Sequence, residues 1–260
     1  MNSSKICSHC GARVPALNSV CHACGKPISY ESQKSGGSGA SHSRVKNPDG
    51  DHLCEVIEMV KSATVRVNCI GLDGGGSLGT GFFVDHKGST YLITNFHVIA
   101  GAVTGNALIT VRFPESINPR NDCFNVDLVG VDPLNDVALL DVQFDVPRGA
   151  ATLQLEDLST IRGGQQVVAV GNPHGMNFNC ITGYIANTNY RDSDMTMSKI
   201  LCSLSAAPGN SGGPVVNVST EKVIGIATAI FDPSYMQSHT ICTTADSIRQ
   251  MIFTYEKKRK

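Results

Sequence analysis

The sequence predicts a mainly β fold, a barrel or a sandwich, with one short helix before the strands and one after them. Short apolar runs separated by turn residues follow one another over most of the chain, and no helices alternate with them. The 26 glycines also favour strands joined by many turns. Among the 260 residues 41% are apolar and 17% are charged, which allows a sizeable core and excludes a wholly disordered chain.

The strand predictions rest on β-branched and aromatic residues bounded by Gly, Pro, Asn and Asp. The predicted strands are 64–70, 81–84, 91–96, 107–113, 124–131, 137–142, 167–170, 180–190, 200–204, 214–218 and 223–230.

A short N-terminal helix is predicted just before the first of these strands. Asp49 or Asp51 supplies a capping side chain, and apolar residues then recur at helical spacing. They are Leu53, Val56, Ile57 and Val60.

A second helix is predicted at the C-terminus, with Thr243 as its cap. Its apolar face is Ile248, Ile252 and Tyr255, and the basic run 257–260 follows as a solvated tail that the helix dipole favours.

Four cysteines near the N-terminus indicate a metal site. Cys7, Cys10, Cys21 and Cys24 form two C-x2-C pairs, each followed by glycine. Each pair can turn two thiolates toward one ion, and four thiolates suit tetrahedral Zn²⁺. Buried thiols or a disulfide pair are the alternative, but so short a segment cannot build an apolar core without a staple. Residues 1–29 are therefore predicted to resemble a small zinc ribbon with one structural Zn²⁺.

Composition then changes twice along the chain. Residues 30–50 are rich in Ser, Gly and Lys and are predicted to form a flexible linker, which leaves 51–260 as the main domain. The first 50 residues hold six Lys or Arg against two Asp or Glu, and a zinc thiolate site would offset part of that charge. Nucleic-acid binding is accordingly not expected, whereas a protein partner for the ribbon is compatible with this composition.

No segment has the roughly 20 apolar residues that a membrane-spanning helix needs. The N-terminal residues lack the apolar core of a signal peptide, which predicts a cytoplasmic location. In that compartment the six remaining cysteines are expected to be buried thiols. They are Cys54, Cys69, Cys123, Cys180, Cys202 and Cys242.

Three polar residues stand where catalysis would need them. His97 ends a predicted apolar strand, Asp136 opens another, and Ser211 lies in the turn Gly-Asn-Ser-Gly-Gly-Pro. Glycines around a serine are unfavourable for the backbone unless the turn must expose the hydroxyl and aim N–H groups at a developing oxyanion. The order His, Asp, Ser on an all-β chain is that of the chymotrypsin triad, the template case for this mechanism.

Five segments strengthen this interpretation, and with them the region from about residue 51 to 258 resembles the HtrA/Deg branch of the trypsin-like serine peptidases. The resemblance implies two six-stranded antiparallel barrels with the active site between them. It also implies no zymogen-type activation, because Asn210 replaces the acid that precedes the serine in many secreted relatives. No PDZ domain is expected after the terminal helix. The five segments are 79–83, 91–99, 135–140, 168–173 and 209–214.

The resemblance also implies roles for residues. His97 is the expected base, Asp136 its orienting acid, Ser211 the nucleophile, and the N–H groups of Gly209 and Ser211 the oxyanion hole. The specificity pocket is expected to be lined by Ser205, Ile226, Ala227 and Thr228, and to accept small or medium aliphatic residues.

The predicted function is therefore a serine endopeptidase that acts on exposed polypeptide segments, with the zinc ribbon as a recruiting or regulatory module. Two alternatives stay open. One is a catalytically silent binding or scaffold protein with the same fold. The other is a nucleic-acid-associated factor led by the ribbon, which the weak charge of residues 1–50 disfavours.

Overall fold

The structure is a computed structural model, and it describes residues 4–6, 13–15, 48–142, 144–191, 197–230 and 239–259. The chain divides into two compact units, Met1–Val45 and Lys46–Lys260. In the first unit, strands β1 (Ser4–Ile6) and β2 (Arg13–Pro15) pair antiparallel, with Ile6 opposite Arg13. The four predicted zinc ligands lie outside the described residues.

The second unit contains two closed six-stranded barrels, which confirms the predicted fold class. Neighbouring strands of the first barrel are antiparallel, and the order around it is β3-β4-β5-β8-β7-β6. Its strands are β3 (Thr64–Gly71), β4 (Gly76–His86), β5 (Ser89–Thr94), β6 (Ala107–Arg112), β7 (Phe124–Asp132) and β8 (Val137–Asp141).

The second barrel repeats this architecture with the order β10-β11-β14-β13-β12-β9. Closure pairs every strand on both sides, so no sheet edge is left open. The strands are β9 (Gln166–Gly171), β10 (Asn179–Tyr190), β11 (Lys199–Cys202), β12 (Pro214–Asn217), β13 (Lys222–Ile230) and β14 (Thr240–Thr244).

Three apolar clusters stabilise this unit. One fills the first barrel around Phe83 and Val111, and another fills the second barrel around Ile200 and Ile224. The third lies between the barrels and includes residues of both. Because this shared cluster packs the barrels against each other, groups contributed by different barrels can be held in one fixed geometry.

Two helices seal the shared cluster. Helix α1 (Pro48–Ser62) buries Val56 and Val60, the spacing that the sequence indicated. It begins before both predicted caps, so Asp49 and Asp51 lie inside the helix and the predicted linker is shorter than 30–50. Proline fits the first turn because the N–H that it lacks has no partner there.

Helix α3 (Ala245–Arg259) follows directly from a strand that the sequence analysis missed, β14. The predicted cap at Thr243 is wrong by one residue, because Thr243 pairs with Ile226 in the sheet. Thr244 takes that place, and its hydroxyl accepts a hydrogen bond from the backbone N–H of Ser247 at 3.3 Å.

Two further boundaries differ from the prediction. Strand β5 ends at Thr94, and His97 lies on the one-turn helix α2 (Phe96–Ile99) rather than at a strand end. Strand β4 begins at Gly76 rather than at residue 81, so part of the glycine-rich stretch before the predicted strand also belongs to the sheet.

The six cysteines of the second unit are free thiols, as expected, although Cys54, Cys123 and Cys180 are exposed rather than buried. Within the described ranges, no helix has the length and apolar character needed to cross a membrane.

Candidate active site

His97 and Asp136 are joined by two hydrogen bonds. Nδ1 of His97 lies 2.7 Å from Oδ2 of Asp136, and the backbone N–H of His97 donates to Oδ1 at 2.9 Å. The carboxylate thus holds both the ring and the backbone of the residue it orients. Since Nδ1 faces an acceptor, the proton is favoured on Nδ1 and Nε2 is left as the basic nitrogen.

The turn that carries Asp136 has an unusual backbone. Asp136 has φ +58°, in the left-handed region that aspartate tolerates better than most residues. Its carbonyl oxygen accepts a hydrogen bond of 2.7 Å from Nδ2 of Asn95, two residues before His97. The segments that bear the histidine and the acid are therefore tied together by backbone as well as by side chains.

Ser211 lies in a turn whose backbone conformation requires glycine at positions 209 and 212. Gly209 has φ +102° and Gly212 has φ +88°. A Cβ on Gly209 would overlap the carbonyl oxygen of Asn172, and one on Gly212 would overlap the carbonyl oxygen of Thr80. Neighbouring backbone thus packs directly against both positions, which explains the glycine pattern around the serine.

A hydrogen bond from His174 sets the orientation of the peptide between Pro208 and Gly209. The Pro208 carbonyl oxygen accepts from the backbone N–H of His174 at 2.8 Å. The peptide is trans, so the N–H of Gly209 points to the opposite side. Among the residues that the structure describes, neither this N–H nor that of Ser211 donates to a protein acceptor. His174 therefore supports the loop through its backbone.

The hydroxyl of Ser211 has only a weak partner. Its Oγ lies 3.5 Å from the carbonyl oxygen of Thr228, at the long limit of a hydrogen bond. Within the described part of the chain no hydrogen bond joins it to His97. Contacts of this kind are often long in an unliganded site and shorten when substrate binds.

Thr80 is an organising residue to which the sequence analysis assigned no role. It is fully buried on β4, in the Gly-Thr-Gly segment of the first barrel. Its hydroxyl donates to the carbonyl oxygen of Gly209 at 2.7 Å, and its N–H donates to that of Ser211 at 2.8 Å. Both Asn172 nitrogens, backbone and side-chain, donate to its hydroxyl. A polar residue between two glycines on an apolar strand was the available signal.

A cavity of about 240 Å³ adjoins Ser211. Of the predicted pocket residues, Ala227 and Thr228 line it. Ile226 is fully buried in the cluster between the barrels, so it does not face this cavity. Ser205 is exposed and is not among its lining residues, which are Ala206, Ala207, Pro208, Asn210, Ser211, Ala227, Thr228 and Thr240.

A larger cavity of about 590 Å³ is lined in part by His97. The turn between β3 and β4 and the start of β4 form another part of its wall, which includes Leu72 and Ser77. Cys69 lines it as a buried thiol, and burial raises the pKa of that thiol.

Two closed six-stranded barrels packed on a shared cluster are the fold of a trypsin-like peptidase, and comparison with known proteins agrees. Residues 79–226, more than half of the chain, match the family model described as "Trypsin-like peptidase domain". The chain belongs to this family.

The curated relatives include two probable periplasmic serine endoproteases described as DegP-like. That of Marinomonas sp. is 36% identical over 159 residues, which are 61% of this chain and 31% of the relative. That of Halomonas elongata is also 36% identical over 159 residues, covering 61% of this chain and 30% of the relative. The chain thus spans less than a third of the length of these relatives.

Solved structures give the same assignment. The HtrA-type protease AlgW with tripeptide superposes with a TM-score of 0.64 at 26% identity, over 78% of this chain and 62% of that one. A variant of AlgW with tripeptide gives the same TM-score at 25% identity. The predicted resemblance to HtrA-type serine peptidases is confirmed.

The predicted cytoplasmic location is wrong, because the relatives are named as periplasmic enzymes. The prediction rested on the N-terminal residues and on the lack of a long apolar segment. Those N-terminal residues lie outside 79–226, the part of this chain that the family model matches.

Proposed function

We propose that this protein is a serine endopeptidase that cleaves exposed segments of polypeptides through an acyl-enzyme. The proposal rests on the two hydrogen bonds between His97 and Asp136, together with the serine turn, whose conformation requires glycine at positions 209 and 212. Position and pairing of this kind suit a histidine that must take a proton and return it.

In this mechanism Ser211 Oγ attacks the scissile carbonyl while Nε2 of His97 takes its proton. Asp136 holds the proton on Nδ1 and stabilises the imidazolium that forms. The free N–H groups of Gly209 and Ser211 donate to the oxyanion. His97 then gives the proton to the leaving amine, and water repeats the cycle on the acyl-enzyme. Each oxyanion donor is worth about 3 kcal/mol in comparable enzymes.

The two cavities would bind substrate residues on opposite sides of the cleaved bond. The space of about 240 Å³ beside Ser211 would receive the side chain that precedes the cleaved bond. Ala206, Ala207 and Ala227 give it a small, mainly apolar wall, which suits aliphatic residues better than Lys or Arg. The space of about 590 Å³ along His97 would receive residues after the bond, because this histidine protonates the leaving amine.

The N-terminal unit is proposed to be a zinc ribbon that recruits or regulates. The pairing of Ile6 with Arg13 supports this, because it brings together the two residues between which Cys7 and Cys10 stand in the sequence. With Cys21 and Cys24 these residues would hold one structural Zn²⁺ through four thiolates. The proposed partner is a protein, and the chemistry of cleavage needs no metal.

Labelling with a fluorophosphonate probe and cleavage of casein test the proposal together. We expect the wild-type protein to be labelled and to cleave, while Ser211→Ala does neither and keeps its melting temperature. Ser203→Ala, which alters another serine of the second barrel, is the matched control and should retain activity. If wild type is neither labelled nor active, the catalytically silent scaffold becomes the better interpretation.

A further inference from the structure

A buried lysine of the second barrel reaches the turn that carries Asp136. Lys199 opens β11 and is only 8% exposed. Its ammonium donates to the carbonyl oxygen of Asn135 at 3.1 Å and to Oγ1 of Thr243 at 2.8 Å. It forms no ion pair with any described residue. A buried ammonium that lacks a paired carboxylate is costly, so its packing alone does not explain its presence.

The ammonium shares its acceptor with a second group. The hydroxyl of Thr243, on β14, also donates to the carbonyl oxygen of Asn135, at 2.8 Å. This oxygen belongs to the peptide that joins Asn135 to Asp136. The next carbonyl, that of Asp136, accepts from Asn95. The peptides on both sides of the acid are therefore fixed, one by the second barrel and one by the first.

The side chain of Asn135 completes the attachment. Its Nδ2 donates to Asp132 at 2.7 Å within the turn, and its Oδ1 accepts from the hydroxyl of Ser247 on α3 at 3.1 Å. Elements of the second barrel and the terminal helix thus hold a turn that belongs to the first barrel. Among the described residues of β11, β14 and α3 that bond to Asn135, Lys199 is the charged one.

Two properties of the turn explain why such an attachment would matter. The backbone of Asp136 is in the left-handed region, which persists in a non-glycine residue only when its surroundings enforce it. The carboxylates of Asp136 and Asp132 also act on Lys199, favouring its charged form against the effect of burial on its pKa.

We infer that Lys199 is a positioning residue for catalysis, which fixes the turn from the opposite barrel so that Asp136 keeps both of its contacts with His97. This inference rests on the proposed function. Lys199 does not touch the substrate in this account, because its effect passes through Asn135 and Asp136.

A double-mutant cycle with Asp136 tests the inference. Lys199→Met keeps the aliphatic stem and removes the charge and both hydrogen bonds. We expect it to lower kcat about tenfold with KM unchanged, since small displacements in a catalytic group have effects of this order or larger. In an Asp136→Asn background, the same substitution should change the labelling rate less than twofold, because its route to catalysis is already lost.

Lys61→Met is the control, since Lys61 lies on α1 in an ion pair with Glu58. A wild-type kcat for Lys199→Met or a change in KM alone would overturn the inference. So would an equal fractional loss of labelling rate in the wild-type and Asp136→Asn backgrounds. None of these results would affect the Ser211→Ala test of the proposed function.

A second pair of variants decides the matter if Lys199→Met does not fold. Thr243→Val removes the hydroxyl that shares the Asn135 acceptor, whereas Thr243→Ser keeps it. We expect kcat to fall in the first and to be restored in the second, at equal KM. Equal activities in the two variants would overturn the inference.

Discussion

The hydroxyl of Thr80 donates a hydrogen bond of 2.7 Å to the carbonyl oxygen of Gly209, and this bond joins the two barrels at the proposed oxyanion hole. Thr80 lies on β4, whereas Gly209 lies in the serine turn of the second barrel. The backbone of Thr80 holds Ser211 at the same time. The conformation of the serine turn therefore depends on a side chain from the opposite barrel.

This dependence predicts that Thr80→Val lowers kcat by about ten- to a hundredfold, somewhat less than the loss of an oxyanion donor itself. The substitution keeps the shape of the side chain and removes the donor to Gly209. Thr64→Val is the matched control, because Thr64 is equally buried and its hydroxyl bonds Val60 far from the turn. Both variants should lose about 1–3 kcal/mol of stability, and only Thr80→Val should lose activity. Similar kinetics in the two would refute the role of Thr80.

Features whose backbone geometry admits only certain residue types could be predicted from the sequence. The glycines at 209 and 212 mark the serine turn because no other residue fits there. The strand runs were recognised because closed barrels bury one side of nearly every strand. Strand β14 was missed because its threonines satisfy a helix-cap pattern equally well, and only its pairing with β11 and β13 decides between them.

Contacts between the barrels could not be predicted in the same way. The partners of Thr80 and Lys199 could not be identified from the sequence, because they are 129 and 64 residues away. Ile226 was expected in the specificity pocket with Ala227 and Thr228, but alternation along the strand turns its side chain away from that of Ala227. Ala227 lines the cavity, and Ile226 therefore turns into the core. A register shift between Ala227 and Ala229 breaks the alternation after that point, and Thr228 lines the cavity as well.

The buried ammonium of Lys199 predicts how stability changes with pH. Burial lowers its pKa below the ordinary lysine value of 10.5. The unfolded chain therefore keeps this proton to higher pH than the folded chain does. The cost of burying the charge is fully present at neutral pH, and it disappears as pH rises through the folded pKa toward the unfolded value.

Lys199→Met has no proton to lose at this position. Its free energy of unfolding relative to wild type should consequently fall as the pH is raised from about 7 to about 10. Urea unfolding of both proteins at several pH values measures this difference, with Lys61→Met as the reference for general effects of alkaline pH. If the free energy of unfolding of Lys199→Met minus that of wild type rose with pH, the predicted sign would be contradicted.

Zinc content tests the proposed ribbon. We expect one Zn²⁺ per chain by native mass spectrometry, and none in a Cys7→Ser/Cys10→Ser variant. Since binding supplies most of the folding free energy of so small a module, on the order of 10 kcal/mol, chelation should unfold it. Cleavage of a short peptide should be unaffected, whereas cleavage of a protein recruited by the ribbon should slow. Equal losses on both substrates would contradict a recruiting role, and zinc retained by the double variant would contradict these ligands.

Two glycines with the same backbone conformation provide the last test. Gly212 and Gly164 have φ +88° and +87°, so an alanine at either position carries a similar strain, of about 1–2 kcal/mol. A Cβ on Gly164 meets nothing within 4 Å, whereas one on Gly212 would collide with the carbonyl oxygen of Thr80. Gly164→Ala should therefore lose only stability. Gly212→Ala must in addition push the serine turn away from the first barrel, and its kcat should fall at least a hundredfold. Urea unfolding and peptide cleavage measure the two effects separately. If the variants lost equal stability and kept equal activity, close contact between Gly212 and Thr80 would have no part in shaping the site.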